Sequence, residues 1–147
     1  MGLLTRNDTA FVVIDLQEKL VPAMSDRETL EDKSVRLIKG MKVLGIPTIV
    51  TQQNTKGLGE TIPSVAEALG DFRHVEKNTF GCMANEEFAS RIKESGKKNI
   101  VVCGIEAHIC VQQTVLQLIE EGYNVYLVAD CVASRNENDK LWSITRM

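Results

Sequence analysis

Apolar residues along the chain fall into two kinds of segment, short continuous runs and longer stretches with helical spacing. The short runs are rich in β-branched residues and are bounded by polar residues or glycines, which is typical of strands buried on both faces. This pattern predicts five strands, at residues 10–15, 47–52, 72–77, 99–104 and 124–129.

Apolar residues spaced three and four apart predict five helices, at residues 30–44, 62–69, 85–94, 107–121 and 137–147. Gly45, Gly96 and Gly122 follow three of these helices and end them. The polar segment 53–59 is predicted to be a loop. Because strands and helices alternate, we expect an α/β fold. Its doubly wound parallel sheet would carry helices on both faces, in a three-layer α/β/α, Rossmann-like arrangement.

A chain of 147 residues suits one domain with a sizeable core, and its short predicted loops favour a single domain over residues 1–147. The chain stops inside an amphipathic helix, whereas the earlier helices lead into strands. A sixth strand would be the regular continuation, so we expect the domain to be truncated at its C-terminus.

Composition and charge narrow the classes of partner. The formal net charge is -3, and no stripe of basic residues occurs, so nucleic acid is not an expected partner. The sequence contains no run of about 18 apolar residues, so it predicts no membrane span. The N-terminal segment lacks the apolar region and the cleavage site of a secretory signal, so we expect a cytoplasmic location.

The four cysteines, Cys82, Cys103, Cys110 and Cys131, form neither a CxxC pair nor a zinc-site spacing. Cys103 lies inside an apolar strand and is predicted to be a core residue, and structural roles are also expected for Cys82 and Cys131. Cys110 differs because it lies in the first turn of a helix that follows a strand. Free backbone N–H groups there favour an anion, so we expect a lowered thiol pKa.

Three reactive side chains lie at the ends of three predicted strands: Asp15 and Lys77 end theirs, and Cys110 follows the fourth strand. Each alone has an ordinary explanation, as a cap, a solvated residue or a core residue. The carboxyl ends of parallel strands lie at one edge of the sheet, where ligands bind. Together, the three predict a nucleophilic thiol with Asp15 as general base and Lys77 favouring the ionised forms.

Four segments carry a resemblance to a known family. They are FVVIDLQ at 11–17, EKNTF at 76–80, GIEAHICV at 104–111 and DCVAS at 130–134. The chain resembles the isochorismatase-like cysteine hydrolases over residues 9–147, and GIEAxxC is the most specific match. The segment QQNTKGLG at 52–59 is closer to the isochorismatase domain-containing protein branch than to the nicotinamidases.

The resemblance implies a sheet with a sixth strand that this chain lacks, and a catalytic triad of Asp15, Lys77 and Cys110. It also implies a cis peptide bond between Ile105 and Glu106. We expect the backbone N–H groups of Glu106 and Cys110 to form an oxyanion hole. The implied reaction is hydrolysis of a C–N bond in a small amide, urea or carbamate, through a covalent acyl-enzyme.

Four further residues are candidates for lining the substrate pocket: Gln17, Gln52, Phe80 and His108. Three of them have a structural alternative, namely a solvated loop residue for Gln17, core packing for Phe80 and a polar helix start for His108. The Glu106 side chain is predicted to stabilise its turn by hydrogen bonds.

Zinc-binding members of the family have an aspartate and histidines after the second strand, where this chain has Gln52, Gln53 and Asn54. We therefore expect no metal site and no cofactor.

Two other functions stay open at this stage. One is ether cleavage of the isochorismatase type, although isochorismatases proper lack the cysteine present here as Cys110. The other is a non-catalytic binding or scaffold role. Leu141, Trp142 and Ile144 near the C-terminus, together with an uncovered sheet edge, predict a homo-oligomer.

Overall fold

A computed structural model describes residues 2–147 and contains one five-stranded parallel sheet in the order β3-β2-β1-β4-β5. The strands are β1 (Thr9–Ile14), β2 (Thr48–Gln53), β3 (Val75–Lys77), β4 (Asn99–Ile105) and β5 (Asn124–Ala133). The helices are α1 (Arg27–Val43), α2 (Thr55–Leu58), α3 (Pro63–Leu69), α4 (Glu86–Ser95), α5 (Gln112–Glu120) and α6 (Glu137–Arg146).

The sheet separates two hydrophobic cores, and the central strand β1 contributes side chains to both of them. Phe11 and Val13 face the core shared with α1 and α3, whereas Val12 and Ile14 face the core shared with α4 and α5. This division follows from the alternation of side chains along a strand. The predicted doubly wound, three-layer fold is therefore confirmed.

The structure corrects several predicted boundaries. Strand β3 begins at Val75 and not at residue 72. Segment 53–59, predicted to be a loop, contains the short helix α2. The predicted helix 107–121 begins as a π-helical turn, Ala107–Val111, before α5. Strand β5 continues to Ala133, past the predicted end at residue 129. It can do so because its pairing with β4 is irregular, so that extra β5 residues are accommodated between two paired stretches.

The winding of the chain reverses between the central strands β1 and β4. These neighbours approach closely at Gly104, where an added Cβ would lie 2.1 Å from the carbonyl oxygen of Ile14. Gly104 also has a φ of 126°, a conformation that favours glycine. A crevice forms at such a reversal, beyond the carboxyl ends of the strands, and the candidate site lies there.

No helix within residues 2–147 combines the length and the hydropathy that a membrane crossing requires.

Candidate active site

Asp15 lies directly after β1 and is almost completely buried. Its backbone φ is 51°, a left-handed conformation that aspartate tolerates better than most residues. The hydroxyl of Thr51, at the same level of β2, donates a hydrogen bond of 2.8 Å to Oδ1. The ammonium of Lys77 lies 2.9 Å from Oδ2. The carboxylate is therefore held from β2 and β3, the two strands on one side of β1.

Lys77 ends β3, and its buried Nζ is surrounded by acceptors. Nζ lies 2.6 Å from Oε1 of Gln53, 3.0 Å from the carbonyl of Thr79 and 3.1 Å from that of Phe80. It also lies 3.5 Å from Sγ of Cys110. The ammonium thus contacts both Asp15 and Cys110, the other two residues predicted to lie at the strand ends.

Two opposing effects act on the charge of Lys77. Burial by itself lowers the pKa of a lysine, because the ammonium loses its hydration. The Asp15 carboxylate, with help from the nearby cysteines, outweighs burial and raises the pKa of Lys77 above its ordinary value. Lys77 therefore remains an ammonium at neutral pH.

Cys110 lies within the π-helical turn and exposes only 7% of its surface. Burial, and next the Asp15 carboxylate, raise its pKa to about 12, although Lys77 acts in the opposite direction. The predicted lowering of the Cys110 pKa is wrong, because desolvation and a neighbouring anion outweigh the positive groups around the sulfur. The residue rests as a thiol, so its reaction with a carbonyl needs a base.

Asp15 Oδ2 is suited to be that base. It faces Lys77 as an ion pair, yet it accepts no hydrogen bond of good geometry from residues 2–147. A buried carboxylate oxygen with a free lone pair can take the thiol proton of Cys110.

The turn before the nucleophile contains the cis peptide bond between Ile105 and Glu106 that the family resemblance implied. The carbonyl oxygen of Glu106 accepts hydrogen bonds from the N–H groups of Ile109 and Val111, at 3.1 and 3.2 Å. These bonds form the π-helical turn that carries Cys110. The oxyanion-hole role of the Glu106 and Cys110 N–H groups stays a prediction.

A cavity of about 240 Å³ opens onto Cys110 and Asp15. Most of its wall is apolar. Its lining residues are Asp15, Leu20, Gln53, Leu58, Phe80, Ile105, Glu106, Ile109, Cys110 and Arg135. A larger depression of about 410 Å³ lies between β5 and α6, but it contains neither Cys110 nor Asp15. The smaller cavity is therefore the candidate active site.

Arg135 and Glu106 form an ion pair at this cavity. The guanidinium Nε and Nη2 donate to Oε1 and Oε2 of Glu106 at 3.3 and 3.1 Å, and the Arg135 backbone N–H also donates to Oε1 at 3.1 Å. The contact raises the pKa of Arg135. The expectation that Glu106 stabilises a turn agrees with these bonds. Arg135 was missed by sequence analysis, although it directly follows the matching segment 130–134.

Two of the predicted pocket residues lie elsewhere. Gln17 is buried, and its Nε2 donates to the carbonyls of Gln53 and Gly59 at 2.9 and 2.8 Å. Gln52 accepts hydrogen bonds from the backbone and the hydroxyl of Thr61. Neither glutamine lines the cavity. Each buried side-chain amide instead forms hydrogen bonds to backbone groups of segments around the site.

The other two pocket candidates differ from each other. Phe80 lines the cavity and is 56% exposed, so it is not a core residue. His108 does not line the cavity. Its Nδ1 lies 2.8 Å from Oγ of Ser134, and its Nε2 lies 3.9 Å from a carboxylate oxygen of Asp139 on α6.

The remaining cysteines are buried and unoxidised in the described part of the chain. Burial raises the pKa of Cys82 to about 12 and that of Cys103 well above its ordinary value. Their side chains belong to the two hydrophobic cores, as expected for structural residues.

Among residues 2–147, no group of three or more His, Cys, Asp or Glu side chains is arranged to hold a metal ion.

The fold and the site together define an α/β protein with a buried thiol, a carboxylate and an ammonium at the winding reversal of its sheet. Residues 9–147 match the isochorismatase domain, and the chain therefore belongs to the isochorismatase family and has its hydrolase fold.

Named relatives agree with this assignment. The chain is 34% identical to isochorismatase domain-containing protein 1 of Salmo salar over 147 residues, and spans 52% of that protein. It is also 34% identical to isochorismatase domain-containing protein 2 of Danio rerio over 149 residues, and spans 74% of it. Both alignments include the whole chain. The chain thus spans about half the length of the first relative and about three quarters of the second.

Solved structures show the same fold. The MAR1 ribonuclease of Caenorhabditis elegans superposes with a TM-score of 0.91 and is 36% identical, over 99% of this chain and 74% of that one. The YcaC protein of Escherichia coli, described as an octameric hydrolase of unknown specificity, has a TM-score of 0.92 and 27% identity. That match covers 98% of this chain and 72% of YcaC.

Proposed function

We propose that this domain is a cysteine hydrolase that cleaves the C–N bond of a small amide, urea or carbamate. One observation carries the proposal. Asp15, Lys77 and Cys110 come from three separate strand ends, yet they meet within direct contact distance beside one cavity. A thiol, a carboxylate and an ammonium in that arrangement supply a nucleophile, a base and a counter-charge.

The first half of the reaction forms an acyl-enzyme. Sγ of Cys110 attacks the carbonyl carbon while the thiol proton passes to Oδ2 of Asp15. Transfer must accompany attack, because the raised pKa of Cys110 keeps the free thiolate scarce. The carbonyl oxygen becomes an oxyanion that the N–H groups of Glu106 and Cys110 would stabilise. Lys77 stays positive throughout and offsets the negative charge.

The second half releases both products. Asp15 returns the proton to the substrate nitrogen, the C–N bond breaks, and ammonia or an amine leaves. The carbonyl group is then bound to Cys110 as a thioester from an amide, or as a thiocarbamate or thiocarbonate from a urea or carbamate. Water attacks this intermediate while Asp15 accepts a water proton, the C–S bond breaks, and the proton restores the thiol. An acid, or a carbamic acid from a urea, leaves the cavity.

The test is a panel of small amides, ureas and carbamates offered to the wild type, Cys110→Ala and Asp15→Asn. Cys103→Ala is the matched control, because that cysteine lies in the core away from the cavity. We expect turnover by the wild type and the control only. Mass spectrometry of the quenched wild type should show the acyl group on Cys110. Undiminished turnover by Cys110→Ala would refute the proposal.

Two other reactions belong in the same panel. Isochorismate-type ethers test ether cleavage, and RNA tests the activity named for the C. elegans neighbour. The net charge of -3 and the pairing of Lys77 and Arg135 with carboxylates favour a small uncharged substrate over a polynucleotide. If no compound is turned over and Cys110 carries no acyl group, a binding role replaces catalysis.

We also propose that the protein forms a homo-oligomer. Leu141 and Trp142 on α6 are 60% and 69% exposed, as an apolar interface requires, whereas Ile144 packs partly against the core. The octameric state described for YcaC supports the proposal. Light scattering at micromolar concentration should give a multiple of the chain mass of 16.3 kDa. A monomeric mass would contradict it.

A further inference from the structure

The charges at the candidate active site cancel. Asp15, Glu106 and Arg135 line the cavity, and Lys77 lies directly behind Asp15. Within residues 2–147, each of these four groups has a partner of opposite sign at 3.1 Å or less. The cavity therefore has no net charge, although ionised groups make up part of its wall.

The rest of the wall is unsuited to a charged substrate. Leu20, Leu58, Phe80, Ile105 and Ile109 contribute apolar surface. A charged substituent placed against such surface loses its hydration and gains no free partner, which is unfavourable. The cavity volume of about 240 Å³ lies below the roughly 300–1,000 Å³ typical of ligand pockets. An occupant is thus small as well as uncharged.

The two ion pairs at the site are assigned different roles. Asp15 and Lys77 contact the nucleophile and are assigned to the chemistry, so the Glu106–Arg135 pair is free for another role. Arg135 satisfies both carboxylate oxygens of Glu106 through its fork of donors. Without Arg135, a carboxylate that is 93% buried would be left in the cavity wall with a single backbone donor.

We propose that the Glu106–Arg135 pair determines the specificity of this site, by neutralising the cavity so that it selects small uncharged compounds over anions and cations. The inference deepens the proposed function by naming the charge class of its substrate. It predicts that a variant without Arg135 admits cations, and that a variant without the Glu106 carboxylate admits anions.

Three alkylating agents of different charge test this directly: iodoacetamide is neutral, iodoacetate is anionic, and 2-bromoethylamine is cationic. In each reaction the Cys110 sulfur bonds to carbon, a halide ion leaves and the thiol proton is released. Rates are followed on the Cys110 peptide by mass spectrometry. Each rate is divided by that of the same peptide in the unfolded chain, which removes the intrinsic reactivity of the reagent.

In the wild type we expect the normalised rate with iodoacetamide to exceed both charged rates by about tenfold. Arg135→Gln should raise the normalised rate with 2-bromoethylamine by about tenfold and lower that with iodoacetate, because the Glu106 carboxylate becomes unpaired. Glu106→Gln should raise the iodoacetate rate by a smaller factor, since the exposed guanidinium is hydrated. Arg135→Lys should restore the wild-type order, which a purely structural role of Arg135 would not predict.

Equal normalised rates for all three reagents in the wild type overturn the inference, as does an unchanged order in both Gln variants. The wild-type comparison is decisive even if a variant does not fold. Alkylation needs no turnover, so the result is separable from the proposed function. Charge selection without hydrolysis of any amide would refute the hydrolase proposal alone, and hydrolysis without charge selection would refute the specificity proposal alone.

Discussion

Two ion pairs lie within one small site, and they differ in almost every physical respect. Lys77 and Asp15 have side chains that are 0% and 1% exposed, with a nitrogen–oxygen distance of 2.9 Å. Arg135 and Glu106 have a similar distance of 3.1 Å, but the arginine side chain is 66% exposed and the glutamate 7%. Similar distances therefore conceal very different surroundings.

The surroundings decide what each pair can do. A buried pair cannot lose one member without leaving an uncompensated charge in the interior, whereas water replaces a lost partner at the surface. The inner pair can thus hold a proton acceptor in a fixed place beside a thiol. In the outer pair water already hydrates Arg135, so we expect this pair to tolerate substitution better and to be suited to tuning recognition.

The largest effect is expected from breaking the inner pair. Lys77→Met leaves the Asp15 carboxylate buried without its counter-charge, and we expect the free energy of unfolding to fall by about 3–5 kcal/mol. Urea denaturation at neutral pH measures it. The double variant Asp15→Asn/Lys77→Met removes both charges and should recover most of the loss. A single variant within about 1 kcal/mol of the wild type would show that the inner pair resembles a surface pair.

The second prediction concerns the thiol that the inner pair serves. Because its pKa is raised from 9.0 to about 12, the thiolate fraction of Cys110 should grow about tenfold per pH unit below that value. The rate of iodoacetamide labelling should therefore rise about a hundredfold from pH 7 to pH 9 without levelling off.

The unfolded chain is the control for this profile, because its Cys110 peptide should begin to level off near its ordinary thiol pKa, about 8.5–9. A folded profile that levels off below pH 8 would mean that Lys77 and the helix start prevail over burial. In that case the pair would activate a thiolate in advance, and Asp15 would not need to accept the thiol proton.

The strands and the meeting of Asp15, Lys77 and Cys110 could be predicted because their signals are local. β-branched runs mark strands buried on both faces, and parallel strands bring their carboxyl ends to one edge whatever their lengths. Asp15, Lys77 and Cys110 lie at the ends of three such runs, so their meeting was predictable before any distance was known. The identity of the acceptors around Lys77, such as Gln53, was not predictable, because it depends on how the loops fold back.

The features that escaped prediction depend on burial and on long-range contacts. The sign of the Cys110 pKa shift required knowing that desolvation exceeds the local field of the turn. The structural roles of Gln17 and Gln52 required knowing which backbone groups approach them. Arg135 contacts Glu106 across 29 positions of sequence, and the spacing of apolar residues does not predict such a pairing.

The smallest effect is expected from breaking the outer pair, and it completes the comparison. Arg135→Gln should lower the free energy of unfolding by about 1–3 kcal/mol, less than Lys77→Met, because the guanidinium is mostly hydrated although the Glu106 carboxylate is buried. The backbone N–H of residue 135 can still donate to Glu106. Urea denaturation at low salt and at about 0.5 M salt should show the difference from wild type shrinking as salt screens the pair. A loss as large as that of Lys77→Met, insensitive to salt, would place both pairs in the same low-dielectric interior. The division between a chemical pair and a recognition pair would then have no physical basis.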